Sequence, residues 1–530
     1  MAEKKNAVSS FQKLMEEGKA LYDKALYKEA VKTFKTAQVM SSKLDKFQLG
    51  SLYIWLGNSY YNLKDNDKYR YYYELYLKEY PEGQASVFSR LAHAYYYIDV
   101  DKSIDYHNKA LNCGINQYDS SSKLFAMTKS SYYSQRDIKE ESEYETSQIK
   151  QYLYKNIQKY IHDDKKHIKN KKLNIGYLSS DCHAHTMMNY IIPIWENHNK
   201  EEFNFFIFNG ASKKDSVTQT IENIGFKVIP CADLNVCETA KLIYDNNIDI
   251  LIDLGGYTHL KSYMAFYKPA PIIISYLGYL NTLGISEFDY ILADRYSIPE
   301  KNSWMYSEKP LYLERGYQIY RGKNLPELSE NPYKTNGYIT FGSFNCTSKF
   351  NDTIVFLWSE ILNNTADSKL LIYRTQLTKD AIKYWSDKFL QRGVSKDRIL
   401  FDNHPYKPHY KAYSQADISL DTYPFNGMSI AIETALMGVP SITLLGEGLQ
   451  ARGVGRINKT LHLDELNAYS GDEYIQKAIE LANNKEKLQN LRKVLRGKML
   501  ESEIMTCHAE FTHDLEEKYK KIWADFINSP

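Results

Sequence analysis

Apolar residues in the first 150 positions recur every three or four residues, and this spacing predicts amphipathic helices. One set consists of Gly18, Leu21, Ala30, Phe34 and Ala37, and a second repeats its offsets with Gly57, Tyr60, Tyr69, Tyr73 and Tyr76 before Pro81. A third, weaker copy has Ala92, Tyr95 and Ala110, and a fourth pair is predicted through Leu124 to Tyr154. These sets predict stacked helical pairs, each with a small residue where its two helices touch.

After Lys172 the pattern changes to short apolar runs separated by helical segments. The runs are LNIGYLSSD, FNFFIFNG, DILIDLGG, APIIISYLG and YILAD, then, beyond a polar stretch at 321–337, YITFGSFN, KLLIYR, RILFDN, ADISLDT and VPSITLLG. Such alternation predicts parallel sheets covered on both faces by helices. Two series predict two lobes with a cleft, in which ligands bind at the carboxyl ends of the strands.

The helical front resembles the tetratricopeptide repeat. Its first two glycines are 39 residues apart, whereas the usual repeat is about 34 residues long, so we expect an insertion in the first connection. A short stack of such repeats either holds a segment of another protein or acts as a structural spacer. The basic stretch from Lys155 to Lys172 is interpreted as a solvated linker or a final helix. We therefore expect domains at 1–165, 166–325 and 326–530.

The segment from Leu420 to Gly446 runs from a strand through a turn at Pro424 and Gly427 into an apolar helix. The first N–H groups of a helix are unpaired and carry the positive end of its dipole, so a glycine there lets an anion approach closely. An ordinary strand-to-helix turn is the alternative. Its position after the strand ADISLDT favours a phosphate site.

Composition limits the classes of partner. The 530 residues include 67 Lys+Arg and 65 Asp+Glu, and the net charge of +2 gives no overall field to attract nucleic acid. The six cysteines, at positions 113, 182, 231, 237, 346 and 507, include no C-x-x-C pair and suit reduced thiols. With no secretory leader visible, and the longest apolar run broken by Pro271, Ser275 and Gly278, we expect a cytoplasmic protein without a membrane span.

Several motifs together resemble the protein O-GlcNAc transferases and their SPINDLY-type relatives, the glycosyltransferases of family 41. The matching pieces, in order, are IGYLSSDCHAH, DLGGYT, KPAPIIISYLGYLNTLG, FDYILAD, FGSFNCTSK, QADISLDTYPFNG and ALMGVP. YLERGYQIYRGK runs almost directly into the second lobe, which resembles the bacterial type. The implied fold is an all-α tetratricopeptide-repeat N-terminal region followed by an α/β GT-B fold of two Rossmann-like lobes.

The resemblance implies that Lys349 lies at the diphosphate of a sugar nucleotide, where an ammonium neutralises the leaving group. It also implies a reaction without a metal ion or other cofactor. Around the opening of the helix, it implies that the donor contacts Asn426, Gly427, Ser429, Ile430, Glu433 and His409. Relatives have hydroxyl-rich residues and an Asp here, so Ile430, which offers only its backbone N–H, and Glu433, with its longer reach, are departures. A helix-start Glu and a surface His remain the structural alternatives.

In the first lobe, the resemblance assigns the active-site imidazole to His185, with His183 as a competing residue. An imidazole suits proton transfer near neutral pH. The donor phosphate or another residue is the alternative base. Thr258 and Thr282 are expected to line the sugar or acceptor pocket. At the second of these positions relatives more often have Pro-Gly-Thr, whereas this chain has Leu280-Asn281-Thr282.

The resulting hypothesis is an inverting transferase that moves a sugar, which the resemblance implies to be GlcNAc, from UDP to Ser or Thr of a protein held by the repeats. The same fold also serves transfer of hexose to Asn or of fucose from GDP, and a sugar-nucleotide epimerase shares the glycine turn. An adaptor with a weakened catalytic domain is the alternative of a different class. The acceptor and the oligomeric state stay open.

Overall fold

The structure is a computed structural model that describes residues 2–162, 172–322 and 325–528. The chain forms two compact units. The first contains residues 1–115 with 376–387, and the second contains residues 116–375 with 388–530. The expected domain boundary at 165 and 166 lies outside the described residues, and the one at 325 and 326 follows two further undescribed positions.

The first unit consists mainly of three helical pairs. They are α1 (Ala2–Asp23) with α2 (Tyr27–Gln38), α3 (Lys46–Asn62) with α4 (Asn66–Glu79), and α5 (Ala85–Tyr95) with α6 (Val100–Cys113). A Cβ atom on Gly18 would lie 2.3 Å from the Phe34 ring, and one on Gly57 would lie 2.4 Å from the Tyr73 ring. Each glycine therefore lets an aromatic side chain of the paired helix approach its backbone, which confirms the predicted role of the small residues.

The expected insertion lies between the first two pairs. A short 3₁₀ turn, Ser41–Lys43, follows α2, and Asp45 then caps α3 by accepting a 2.8 Å hydrogen bond from the backbone N–H of Gln48. The reciprocal bond, from the backbone N–H of Asp45 to the Gln48 side chain, completes a capping box. The extra residues thus form a defined connection.

The second unit begins with a fourth helical pair, α7 (Gln117–Met127) and α8 (Gln135–Leu153), and continues into two parallel sheets. The first sheet has the order β3-β2-β1-β4-β5-β6-β7. Its strands are β1 (Leu173–Ser179), β2 (Phe203–Asn209), β3 (Lys227–Pro230), β4 (Ile250–Asp253), β5 (Ile272–Ser275), β6 (Tyr290–Ala293) and β7 (Lys309–Tyr312). Helices α9 (Met188–Asn197), α10 (Ser216–Asn223) and α11 (Val236–Asp245) connect the first four strands.

The second sheet has the order β10-β9-β8-β11-β12-β13. Its strands are β8 (Ile339–Ser343), β9 (Ser368–Tyr373), β10 (Ile399–Asp402), β11 (Ile418–Leu420), β12 (Ser441–Leu444) and β13 (Asn467–Ala468). The remaining helices are α12 (Tyr333–Asn336), α13 (Asp352–Asn363), α14 (Lys379–Gln391), α15 (Met428–Leu436), α16 (Gly453–Thr460), α17 (Gly471–Asn483), α18 (Lys485–Glu501), α19 (Glu503–Thr506) and α20 (His508–Ile527). Every residue of β8, β11 and β12 is buried, as expected for strands covered on both faces.

Each sheet reverses its strand order once, at β1 and β4 in the first sheet and at β8 and β11 in the second. Helices that leave the two strands at such a point go to opposite faces, which opens a crevice at their carboxyl ends. The segments that follow these four strands contain His185, Thr258, Lys349 and Gly427. The topology therefore brings predicted site residues to both switch points.

The predicted α/β organisation is confirmed, but three strands have no counterpart among the predicted runs. They are β3, β7 and β13, which lie at or next to the edges of their sheets. Strand β3 has no buried residue, β7 contains Pro310, and β13 has only two residues, so none shows a long apolar run. Among the described helices, none is both long enough and apolar enough to cross a membrane.

Candidate active site

The turn between β11 and α15 is held by Asp421, the residue that follows β11. Its carboxylate accepts a 2.7 Å hydrogen bond from the backbone N–H of Gly427 and another of 2.7 Å from the Thr443 hydroxyl. A Cβ atom on Gly427 would lie 2.3 Å from the Asn345 amide oxygen. Glycine is therefore required here because the side chain of Asn345, from the segment after β8, packs directly on the turn.

Lys349 lies in the short helical turn that follows β8. Its ammonium donates hydrogen bonds to the Asn426 backbone carbonyl, at 2.8 Å, and to the Asn345 side-chain oxygen, at 3.2 Å. It also lies 4.6 Å from the centre of the Phe425 ring. The cation is thus fixed against the same turn that begins α15.

Burial dominates the electrostatics of this pair of segments. It lowers the pKa of Lys349 to about 8, although the nearby Asp421 carboxylate and Cys346 thiol raise it. Burial also raises the pKa of Asp421 to about 6, against the opposing effects of Thr443, the Gly427 amide and Lys349. A dianionic ligand beside Lys349 would favour the charged ammonium, so this site suits a diphosphate.

Helix α15 begins immediately after Gly427, so the backbone N–H groups of its first turn are available to an anion. The Ser429 hydroxyl lies 2.7 Å from the hydroxyl of Tyr190, which is part of α9 in the first lobe. Ile430 packs against the buried cluster that contains Tyr410 and Tyr413. The hydroxyl that the sequence singled out is therefore already engaged across the cleft.

Glu433, one turn further along α15, is 7% exposed. Its carboxylate accepts a 2.9 Å hydrogen bond from the Tyr320 hydroxyl and one of 2.5 Å from the Tyr413 hydroxyl. The Nε2 atom of His409 lies 3.3 Å from the same carboxylate, and the His409 ring stacks on Tyr410. Glu433 and His409 are thus neighbours, as a common contact with a nucleoside requires, but two phenols hold the carboxylate.

Asn426 is 2% exposed and supplies the carbonyl that accepts from Lys349. Its own backbone N–H donates to the carbonyl of Gln450, and its side-chain amide donates to the carbonyl of Thr422. Its side-chain oxygen is buried and has no hydrogen-bond partner among the described residues. Asn426 therefore acts through the backbone of the turn in this structure.

On the first lobe, His185 lies in the exposed turn between β1 and α9. Its Nδ1 atom accepts a 3.4 Å hydrogen bond from the backbone N–H of Met187 and lies 3.6 Å from the Asp181 carboxylate. His183 lies beside it, with the two ring centres 5.8 Å apart. Because α9 reaches Ser429 through Tyr190, the His185 turn leads directly into the element that contacts the start of α15.

The two predicted threonines differ in exposure. Thr258, after β4, is exposed, and its hydroxyl donates to the Gly255 carbonyl at 2.8 Å. Thr282 is completely buried, and its hydroxyl donates to the Glu308 carboxylate at 2.7 Å. A ligand would reach the Thr282 hydroxyl only after displacement of that bond, so the pocket role of Thr282 stays a prediction.

Sequence reasoning missed several residues that shape the site, namely Asp421, Asn345, Tyr190, Tyr320 and Tyr413. Asp421 ends the predicted strand ADISLDT, so its position at a strand carboxyl end was a usable signal. The three tyrosines carried no such signal, because 47 tyrosines occur along the chain and many lie at helical spacing.

Comparison with known proteins agrees with this geometry. Residues 148–331 and 324–515 match the model of glycosyl transferase family 41. The chain is 30% identical over 379 residues to a probable UDP-N-acetylglucosamine–peptide N-acetylglucosaminyltransferase SPINDLY of Petunia hybrida, covering 68% of this chain and 39% of the relative. A similarly named protein of Oryza sativa subsp. japonica is 31% identical over 388 residues, covering 70% and 41%. The chain thus spans about two fifths of these relatives' length.

Among solved structures, a mutant O-GlcNAc transferase of Thermobaculum terrenum superposes with a TM-score of 0.81 at 21% identity, covering 98% of each chain. This likeness shows a shared fold of helical repeats followed by two Rossmann-like lobes. With the family match over both lobes, the switch-point geometry and the lysine at the turn, the chain belongs to glycosyl transferase family 41.

Proposed function

We propose that this chain transfers a sugar, GlcNAc in the first instance, from a UDP-sugar to a Ser or Thr hydroxyl of a protein, with inversion at the anomeric carbon. The observation that carries the proposal is the convergence of Lys349 with the start of α15 at the switch point of the second sheet. An ammonium and a helix N-terminus at one place form an anion site suited to a leaving diphosphate.

In this reaction the bond between the anomeric carbon and the UDP oxygen breaks while the acceptor oxygen bonds to that carbon from the opposite face. Negative charge grows on the diphosphate as it leaves. The Lys349 ammonium neutralises that charge, and the N–H groups of Ser429 and Ile430 donate to the phosphate oxygens. We propose that this charge stabilisation needs no metal ion.

The nucleoside is proposed to lie against Glu433 and His409. The two phenols of Tyr320 and Tyr413 each donate to one oxygen of the Glu433 carboxylate, so each oxygen keeps a second lone pair that can accept from a ribose hydroxyl. The phenols hold the carboxylate in place, so the nucleoside meets a fixed acceptor.

On the acceptor side, we propose His185 as the residue that takes the hydroxyl proton. In the structure Nδ1 of His185 accepts from the backbone N–H of Met187, so a role as base at Nε2 requires Nδ1 to exchange that contact for a proton directed to the Asp181 carboxylate, 3.6 Å away. The threonines Thr258 and Thr282 are proposed to border the sugar or acceptor pocket. The helical pairs of the first unit are proposed to hold the acceptor protein.

The proposed compartment is the cytoplasm. All six cysteines are free thiols in the structure, which suits reducing conditions.

The test is incubation of the chain with UDP-GlcNAc, UDP-glucose or GDP-fucose, each with EDTA and with a separate magnesium control. Released nucleotide and the intact mass of protein acceptors are measured. Release from UDP-GlcNAc with a matching mass increment on Ser or Thr, unchanged by EDTA, supports the proposal. A mass increment seen only with another donor would show that the transferred sugar is not GlcNAc. A mass increment on Asn would show that the acceptor is not Ser or Thr.

A second candidate is an adaptor whose nucleotide site has lost turnover. The observation in its favour is that the Ser429 hydroxyl and the Glu433 carboxylate are both bonded to tyrosines of this chain. Donor turnover measured beside a UDP titration separates the two functions, because the adaptor predicts no release of nucleotide from any donor. Binding of UDP together with donor turnover removes this candidate.

A further inference from the structure

A second lysine approaches the candidate diphosphate site from outside the two lobes. Lys129 lies in the connection between α7 and α8, more than 200 residues from Lys349 in the sequence. Its ammonium is 3.7 Å from the centre of the Phe125 ring and 5.7 Å from the centre of the Phe425 ring. Lys349 contacts the same Phe425 ring at 4.6 Å. Two cations therefore share one aromatic side chain beside the turn that begins α15.

The backbone of Lys129 is fixed to this turn as well. The side-chain amide of Asn351 donates to the Lys129 carbonyl at 3.1 Å and to the Tyr423 carbonyl at 2.7 Å. The rings of Phe125 and Phe425 meet edge to face, with their centres 6.1 Å apart. The α7–α8 connection and the glycine turn are thus joined by both a hydrogen-bonded bridge and an aromatic contact.

The electrostatic surroundings of Lys129 are those of the anion site. Lys129 is 4% exposed. Burial lowers the pKa of Lys129 to about 7. The nearby Cys346 thiol raises this pKa, and the positive charge of Lys349 lowers it further. Cys346 and Lys349 are in turn influenced by Arg374, and Lys349 also by Asp421. Cys346 and Lys349, which both act on the charge of Lys129, are therefore members of the site already described.

Lys123, on α7, provides a contrast. It is 5% exposed, and its ammonium is bonded to the carboxylates of Glu141 and Glu145. The raising effects of these carboxylates outweigh burial, so the pKa of Lys123 is raised. Carboxylates thus outweigh burial at Lys123, whereas burial lowers the pKa of Lys129 beside Cys346 and Lys349.

We propose that Lys129 is a second positive group for the diphosphate of the donor, acting beside Lys349 from the helical pair that precedes the first lobe. This inference rests on the proposed use of a nucleoside diphosphate. It assigns donor binding, and not only acceptor binding, to the helical segment. The α7–α8 pair then belongs functionally to the catalytic unit, in which it also lies structurally.

The test compares the full-length wild-type chain with Lys129→Met, using calorimetric titration with UDP, uridine, GDP and pyrophosphate. Lys139→Met, in α8 of the same helical pair, is the matched control, because that ammonium bonds to the Trp304 carbonyl and pairs with Glu143. We expect Lys129→Met to weaken UDP binding about tenfold or more, since a hydrogen bond to a charged group is lost, and to leave uridine binding unchanged. Lys129→Arg should restore part of the affinity, and Lys139→Met should match the wild type.

Proton uptake is a second readout. Anion binding favours the charged ammonium, so a lysine whose pKa is lowered by burial takes up protons when the diphosphate binds. Titrations in two buffers of different ionisation enthalpy should therefore show more proton uptake for the wild type than for Lys129→Met. Equal uptake together with equal UDP affinity would overturn the inference.

Other outcomes are also decisive. Equal weakening of uridine and UDP in Lys129→Met would assign Lys129 a structural role and overturn the inference. Wild-type binding of GDP or pyrophosphate without UDP would overturn the proposed UDP donor, while loss of pyrophosphate affinity in the variant would still support Lys129. A wild-type chain that binds none of the diphosphates would overturn both.

Discussion

The ammonium of Lys349 donates a 2.8 Å hydrogen bond to the backbone carbonyl of Asn426, the residue immediately before the glycine that begins α15. The bond fixes the cation of one segment to the helix start of another. Both features favour negative charge at the same place.

Lys349→Met should abolish most of the transfer. The loss of a preorganised positive group at the leaving diphosphate is expected to lower kcat by a factor of about 100 or more. Donor turnover is the measurement, and the far-UV circular dichroism spectrum checks that the fold is kept. Lys139→Met, with its side chain outside this site, is the control. Undiminished turnover in Lys349→Met would remove Lys349 from the chemistry.

Gly427→Ala should weaken UDP binding because the new methyl group would displace the Asn345 amide, one of the groups that hold Lys349. The double variant Gly427→Ala with Asn345→Ala should recover thermal stability by removing the clash. Gly497→Ala is the matched control, since a Cβ atom there meets no atom within 4 Å, and alanine in a helix is expected to stabilise it by up to about 1 kcal/mol. A Gly427→Ala chain with wild-type UDP affinity would show that the close packing is unimportant for the ligand.

Asp421→Asn should move the pH dependence of UDP binding. Burial lowers the pKa of Lys349 to about 8 and the Asp421 carboxylate opposes that effect, so removing the negative charge lowers the pKa further. Because the ammonium form binds the anion, affinity falls as pH rises through the lysine pKa, and in the variant this fall should begin at a lower pH. Titrations between pH 6 and 9 measure it. A fall at the wild-type pH, or at a higher one, would mean that Asp421 does not set the charge of Lys349.

Glu433→Gln should separate nucleoside binding from phosphate binding. An amide accepts at only one of its two positions, so ribose contacts and the two phenol contacts are no longer all satisfied. We expect uridine affinity to fall about tenfold and pyrophosphate affinity to stay at the wild-type level. Equal losses for both ligands would instead indicate a collapsed turn, which thermal unfolding would reveal.

Lys129→Met should stabilise the chain, most strongly at and below pH 7. Burial lowers the folded-state pKa of Lys129 from its ordinary value of 10.5 to about 7. Between these values the unfolded chain binds more protons, so the wild type gains stability as pH rises from about 7 to 10.5. The advantage of methionine should therefore shrink with pH, as measured by thermal unfolding at pH 6.5 and pH 9.5. A constant advantage at both pH values would show that the gain comes from packing alone.

Much of the fold was predictable because it follows from local rules. Gly18 and Gly57 occupy equivalent positions in two repeats, where an aromatic ring packs closely against the helix backbone. This repetition is visible within the sequence of one chain. Long apolar runs identified the central strands because both faces of those strands are buried. Strands β3, β7 and β13 were not predicted because a strand at the edge of a sheet is less buried and does not need a continuous apolar run.

The candidate site divides in the same way. The sequence by itself determined the glycine turn, Lys349 and the succession of strands along the chain, because strand ends, helix starts and motif spacing are local properties, whereas the pairing of β8 with β11 came from the structure. Only the tertiary structure decided that Asn345 makes Gly427 necessary, that Tyr320 and Tyr413 hold Glu433, and that Lys129 shares the Phe425 ring with Lys349. These relationships join residues that are distant in sequence, and packing and desolvation depend on what lies nearby in space, which no local pattern encodes.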